Sequence, residues 1–87
     1  MREGVWTHGP DTALQAWIAG ESRTIVVTTE AIEEYLKLGP ARAADMTAGE
    51  RRKFVEGRLA LVIAAANRKA ETSDHPAEPV MIRRGEL

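Results

Sequence analysis

The chain contains no cysteine among its 87 residues. Disulfide bonds, thiol nucleophiles and cysteine metal sites are therefore excluded. Because a chain without cysteine suits a reducing compartment, we expect a cytoplasmic protein.

An excess of charge of one sign is also missing, because 12 Lys and Arg stand against 13 Asp and Glu. The domain as a whole has no electrostatic field that would attract nucleic acid or an anionic membrane. Residues 1–10 lack the basic and apolar regions of a secretory signal, and the longest apolar run, residues 59–66, is too short to span a bilayer. We therefore expect a soluble protein with no membrane partner.

Histidine and serine are scarce, and the only ones are His8, His75, Ser22 and Ser73. The two histidines are not at ligand spacing, and neither serine has a base nearby in the sequence. We therefore predict no metal site, no cofactor and no catalytic residue, in a protein that is not an enzyme. An unusual enzyme would need carboxylates that converge in a pocket; the candidates are Glu30, Glu33, Glu34 and Asp45.

The length of the chain fits one domain with one small core over residues 1–87. Small domains often recover buried area by self-association, so a homo-oligomer, in the simplest case a homodimer, is the expected state.

Residues 12–28 have the alternating pattern of a β-hairpin. With Gly20-Glu21 as a two-residue turn, Leu14 faces Val27 and one side of the hairpin becomes apolar. Residues 4–8 are too short a segment to decide whether they add a strand.

The other side of the hairpin is half polar; it holds Gln15, Trp17, Thr24 and Val26. The favoured interpretation is a second core, covered by another part of the chain. If that side is exposed, Trp17 and Val26 are the best candidates for contact with a partner.

Two helices are predicted next. The first covers residues 29–38, with Thr28 as its N-cap and Gly39-Pro40 as its end. The second is a long helix over residues 48–71, which begins with the capping box Thr47-Ala-Gly-Glu50. Its apolar band is wide, so we expect it to pack on a sheet.

Residues 72–79 read as a loop and residues 79–83 as a final strand. The predicted fold is therefore α+β, in the order ββααβ or with one more N-terminal strand, with the helices on one face of a small antiparallel sheet.

The first turn of the long helix is basic. Its residues Arg51, Arg52 and Lys53 oppose the helix dipole, and a solvated face is the favoured interpretation. Contact with phosphate or an acidic partner is the alternative. Together with Arg83 and Arg84, they would serve a nucleic-acid-associated accessory protein.

Arg58 lies in line with Phe54 and Leu61 on the helix, so its stem should follow the apolar band. We predict a structural ion pair with an acid of the first helix, and ligand recognition is the alternative. Gly57, in mid-helix, predicts the close approach of a strand or of a second copy of the helix.

Four segments carry a family pattern: Trp17-Ile-Ala-Gly-Glu, Ile25-Val-Val-Thr-Thr-Glu-Ala-Ile32, Phe54-Val-Glu-Gly-Arg58 with Leu61 and Ala65, and Val80-Met-Ile. Together they resemble the small bacterial domain-of-unknown-function family fourteen-eighty-eight. Thr28 stands where the family has a serine or threonine cap, and Ile25 departs from it, because members often have cysteine there. The resemblance implies a compact α+β fold and neither catalytic residues nor an established activity.

The function predicted from these patterns is a non-catalytic protein-interaction or assembly module. It would act on an unknown protein partner through the hairpin or the long helix, with Arg58 and the basic first turn as further candidate contacts. A nucleic-acid-associated accessory protein is the alternative, and the near-neutral total charge disfavours it.

Overall fold

The computed structural model describes residues 4–18, 20–71 and 79–87, and folds them into a four-stranded sheet with helices on one face. The strands are β1 Val5–His8, β2 Asp11–Ile18, β3 Glu21–Val27 and β4 Val80–Ile82. The helices are α1 Thr29–Leu36, α2 Pro40–Asp45, α3 Ala48–Glu56 and α4 Leu59–Glu71. The α+β class is confirmed, and the segment before the hairpin is a strand. The loop predicted over residues 72–79, with His75 and Ser73, lies outside the described residues except for Pro79.

The sheet is mixed, not antiparallel throughout. Strands β1, β2 and β3 follow one another in antiparallel order, and β4 pairs in parallel with β3. Parallel neighbours need a crossover connection of a dozen residues or more. The helices between β3 and β4 form that connection, so the chain re-enters the sheet in the same direction as it left.

The hairpin register differs from the predicted one by two residues. Leu14 pairs with Ile25 and Ile18 pairs with Glu21, so Glu21 belongs to β3 and not to the turn. Gly20 has a φ of +84°, which glycine adopts without a steric penalty. A shift of two residues keeps every side chain on its own face, so the predicted division into two faces is confirmed.

One hydrophobic cluster joins the inner face of the sheet to the helices. The strands contribute Leu14, Ile18, Ile25, Val27, Val80 and Ile82, and the helices contribute Ala31, Ile32, Phe54, Val55, Val62, Ala65 and Ala66. All are buried. All strand residues of this cluster lie on one face of the sheet. Helices α1, α3 and α4 therefore cover that face, which we call the inner face.

Thr28 links the start of α1 to β4 through hydrogen bonds. Its hydroxyl accepts a hydrogen bond from the Ala31 amide at 3.2 Å, as the predicted N-cap requires, and donates one to the Ile82 carbonyl at 2.8 Å. The Thr28 amide donates to the same carbonyl at 3.0 Å. Thr28, which the sequence predicted only as an N-cap, therefore also joins α1 to β4.

The predicted long helix is wrong as a single element, because it breaks at Gly57 and Arg58. The Arg58 amide donates to the Val55 carbonyl, three residues back, and the helical ladder restarts beyond it. Within the described residues no strand backbone approaches Gly57, and an added Cβ would lie 3.4 Å from the Lys53 carbonyl of its own helix. Glycine is the poorest helix former after proline, and the break lets α3 pack on β1 and β2 while α4 packs on β2 and β4.

The connector predicted before the long helix is itself helical. Helix α1 ends at Leu36, with Lys37 in the left-handed conformation at φ 57°, and Gly39 is the N-cap of α2. Pro40 thus begins α2, where its missing N–H leaves nothing unsatisfied, instead of only ending α1. The capping box of Thr47 and Glu50 at the start of α3 is confirmed.

The residues after β4 turn back onto α4. The Glu86 carboxylate accepts hydrogen bonds from the Lys69 ammonium and from the Arg83 amide, both at 2.6 Å. Partial burial alone would raise the pKa of Glu86, but these bonds and the charges of Lys69 and Arg83 outweigh it and lower the pKa. Glu86 is therefore anionic in the folded protein at neutral pH.

Candidate functional site

The strongest candidate site is the face of the sheet opposite the helices, which we call the outer face. Side chains alternate along a strand, so the pairing of strands arranges the outward ones in rows. The central row runs across all four strands; it consists of Trp6, Ala13, Val26 and Met81. The remaining rows are His8 with Asp11, Gln15 with Thr24, and Trp17 with Ser22. None of these side chains belongs to the core cluster.

Trp17 is the most exposed large hydrophobic side chain among the described residues, at 72%. Val26, on the same face, is only 1% exposed. A covered second core is therefore the wrong interpretation for Trp17, whereas Val26 is buried on the same face without belonging to the core cluster. Of the two candidate contacts on this face, only Trp17 offers surface to a partner.

The polar side chains beside Trp17 bond to one another. Gln15 donates from Nε2 to the Ser22 hydroxyl at 3.1 Å, and accepts at Oε1 from the Thr24 hydroxyl at 3.1 Å. Both ends of the Gln15 amide thus have a partner within the face. A surface whose polar groups are already paired loses less when water is removed from it.

Asp11 lies at one end of the outer face, and its carboxylate accepts hydrogen bonds from the first residue of α1. Its Oδ1 accepts a hydrogen bond from the Thr29 amide at 2.9 Å, and the Thr29 hydroxyl lies 3.4 Å from the same oxygen. The only carboxylate among the outward strand residues is therefore engaged inside the molecule.

The basic first turn of α3 does not form one surface. Arg51 donates from Nη1 to the Met46 carbonyl at 2.7 Å, Arg52 donates to the Thr7 hydroxyl, and Lys53 is exposed. Two of the three side chains thus have local structural partners. The favoured interpretation of a merely solvated face holds for Lys53 alone.

Arg58 lies over two aromatic rings. Its guanidinium carbon is 4.5 Å from the centre of the Phe54 ring and 5.8 Å from that of Tyr35, and the two rings meet edge to face at 5.5 Å. Among the described residues no ion pair joins Arg58 to an acid of α1, and Glu34 pairs instead with Arg84 at 3.1 Å. The predicted ion pair is wrong, because the aromatic faces supply the attraction that the cation needs.

Arg51 and Arg84 line one cleft of about 700 Å³ between α1, α2 and the start of α3. Glu33, Glu34 and Lys37 line it too, so its charge is mixed. Two of the four carboxylates named for an unusual enzyme thus reach one cleft, and Glu30 and Asp45 do not line it.

The described residues contain no group of three His, Asp or Glu side chains placed to hold a metal ion. None of their helices is long and apolar enough to cross a membrane.

The sequence prediction did not single out Trp6 and Met81. Their signal is the alternation within the two outer strands: Trp6 lies between Val5 and Thr7, and Met81 between the buried Val80 and Ile82. Both strands are short, so the period of two was too brief to assign a face from the sequence.

Comparison with protein-family models, with curated proteins and with solved structures gave no match, so the resemblance to family fourteen-eighty-eight stays a prediction.

Proposed function

We propose that the chain is a non-catalytic protein-interaction or assembly module that binds its partner through the outer face. The observation that carries this proposal is Trp17, a tryptophan 72% exposed on the sheet face that the core helices leave free. Tryptophan is enriched among the residues that dominate binding energy, because it buries a large area with little loss of conformational freedom.

The surroundings of Trp17 support the same proposal. Binding hot spots lie in regions from which water is excluded, and polar groups there need partners. Gln15, Ser22 and Thr24 provide those partners for one another. The face therefore combines an apolar anchor with polar neighbours that tolerate the removal of water.

A nucleic-acid-associated role is the weaker proposal. Bases stack on exposed aromatic rings, but a nucleic-acid groove also needs cations along the backbone. The outward residues of the four strands include no Lys or Arg. Arg51 and Arg84 share their cleft with Glu33 and Glu34. Passage through a heparin column at low salt without delay would exclude it.

Photo-crosslinking tests the proposed function directly. A benzophenone amino acid replaces Trp17 in one sample and Leu59 in a matched control, in cells that express the full chain. Leu59 is also a large exposed hydrophobic residue, at 41%, but it lies on α4. We expect illumination to give a discrete adduct from position 17, identified by mass spectrometry, and none from position 59.

Two outcomes would refute the proposal. One is the absence of any discrete adduct from position 17. The other is the same adduct with equal yield from both positions, because it would show contact without preference for the outer face.

A further inference from the structure

We infer that the partner seated on the outer face is a second copy of this chain, packed sheet against sheet about a two-fold axis. This inference rests on the proposed function, since it names the partner for the same face. Two properties of the face carry it, its charge and its paired polar groups, and its size sets the expected strength of the contact.

Charge is the first property. In a chain with 29% charged residues, the outward strand residues include one fully charged side chain, Asp11, which is bonded to Thr29. A two-fold contact places a surface against itself, so free charges of one sign on that surface would face one another and be repelled. The outer face carries no such free charge within its strands. A charged partner, in contrast, would find no counterpart on it.

The paired polar groups are the second property. Two outer faces in contact bring the Gln15, Ser22 and Thr24 group of each copy into an interface with few free water molecules. Because these groups already bond to one another, neither copy has to supply them with new partners. The face is thus compatible with another face of the same composition.

Size sets the strength of the contact. The strands have 4, 8, 7 and 3 residues. At about 3.4 Å per residue and about 4.8 Å between strands, each outer face measures roughly 360 Å² in projection. Two such faces fall below the roughly 1,200–2,000 Å² of a standard interface, so the dimer should be a weak one, with a dissociation constant on the order of micromolar.

Sheets that pack face to face keep their strands within about 30° of each other and about 10 Å apart. In an isologous contact each copy contributes the same residues, so both Trp17 side chains are buried at once. Replacing Trp17 therefore removes two buried tryptophan side chains from every dimer. If each tryptophan contributes at least a factor of ten, Trp17→Gln should raise the dissociation constant by about a hundredfold or more.

Sedimentation equilibrium of the purified full chain tests the inference, at concentrations from about ten times below to about a hundred times above one micromolar. We compare the wild type with Trp17→Gln and with the control Leu59→Gln, after circular dichroism has shown that both variants fold. We expect a monomer–dimer equilibrium for the wild type and for Leu59→Gln. Trp17→Gln should need about a hundredfold higher concentration, so that it is monomeric where the wild type is half dimeric.

Two sedimentation results would overturn the second copy as partner: a wild type that stays monomeric throughout, or a dimer that Trp17→Gln leaves intact. The crosslinking experiment separates these failures from failure of the proposed function. A monomeric wild type with an adduct from position 17 to a different polypeptide overturns the inference and supports the proposed function. An adduct from position 17 to the chain itself supports both.

Discussion

Replacing Thr28 by valine should destabilise the protein by about 2 kcal/mol. Valine has nearly the shape of threonine, so the packing around this buried position is kept and the hydroxyl alone is lost. That hydroxyl caps α1 by accepting from Ala31, and it donates to the Ile82 carbonyl. A lost N-cap costs about 1 kcal/mol and a lost buried hydrogen bond about another. The Ile82 carbonyl keeps the Thr28 amide as a donor, so it is not left unsatisfied.

The magnitude is large for a chain of this size. Domains have about 0.05–0.15 kcal/mol of stability per residue, which gives roughly 4–13 kcal/mol for 87 residues. Urea unfolding measures the loss: with a slope near 1 kcal/mol per molar, the midpoint should fall by about 2 M.

Two control variants separate the two parts of the effect. Thr28→Ser keeps the hydroxyl, so its loss of stability should be well under the loss expected for Thr28→Val. Thr47→Val removes a cap of the same chemistry at an exposed site, where the hydroxyl has no second bond to any described residue, and should cost about 1 kcal/mol. A Thr28→Val variant within about 0.5 kcal/mol of the wild type, or a Thr28→Ser variant that is equally destabilised, would show that the hydroxyl does not have this role.

Three further predictions concern positions away from the outer face, each measured by urea unfolding. Gly57→Ala should raise stability by up to about 1 kcal/mol, because the added Cβ makes an ordinary 3.4 Å contact and alanine favours the helix; a loss would show that the break is required. Arg58→Met should cost about 0.5–1 kcal/mol through loss of the contacts with Phe54 and Tyr35, and no change would contradict their role. The folded-state pKa of Glu86 is lowered, so its contribution to stability is present above the unfolded-state pKa and is lost as pH falls through the folded value. The Glu86 side chain is 38% exposed, so solvent weakens its ion pair with Lys69. Glu86→Gln should therefore lower the free energy of unfolding by less than about 1 kcal/mol at pH 7 and not at all at strongly acidic pH. An equal loss at both pH values would argue against the pair with Lys69.

The local features of the fold were predictable from the sequence. The alternation from Leu14 to Ile18 defined both faces of the hairpin even though its register was displaced, because a shift of two residues preserves the face. The caps at Thr28 and Thr47 were predictable too, since a capping hydroxyl needs only its own helix.

The errors concern competition between distant parts of the chain. A single glycine costs a helix only about 1 kcal/mol, so the break at Gly57 depends on tertiary packing, in which α3 contacts β1 and β2 while α4 contacts β2 and β4. The direction of β4 depends on the path of the whole crossover. Arg58 lies over the ring of Phe54, four residues away, and a pattern of charged residues does not reveal a partner that carries no charge.

The sequence predicted which residues share the outer face but not which of them are exposed, because exposure depends on distant parts of the chain. The hairpin pattern placed Trp17 and Val26 on one face, but pattern alone does not say whether helices cover that face. The helices pack on the inner face, and Trp17 is left exposed while Val26 is buried in its row.

Acrylamide quenching of Trp17 fluorescence tests the central claim, that this side chain is free in the isolated chain and covered in the complex. The Trp6→Phe variant removes the signal of the only other tryptophan. We expect strong quenching in dilute solution and marked protection once the partner, or a second copy of the chain, is bound. Weak quenching in the dilute monomer, or quenching that stays equally strong in the complex, would contradict it.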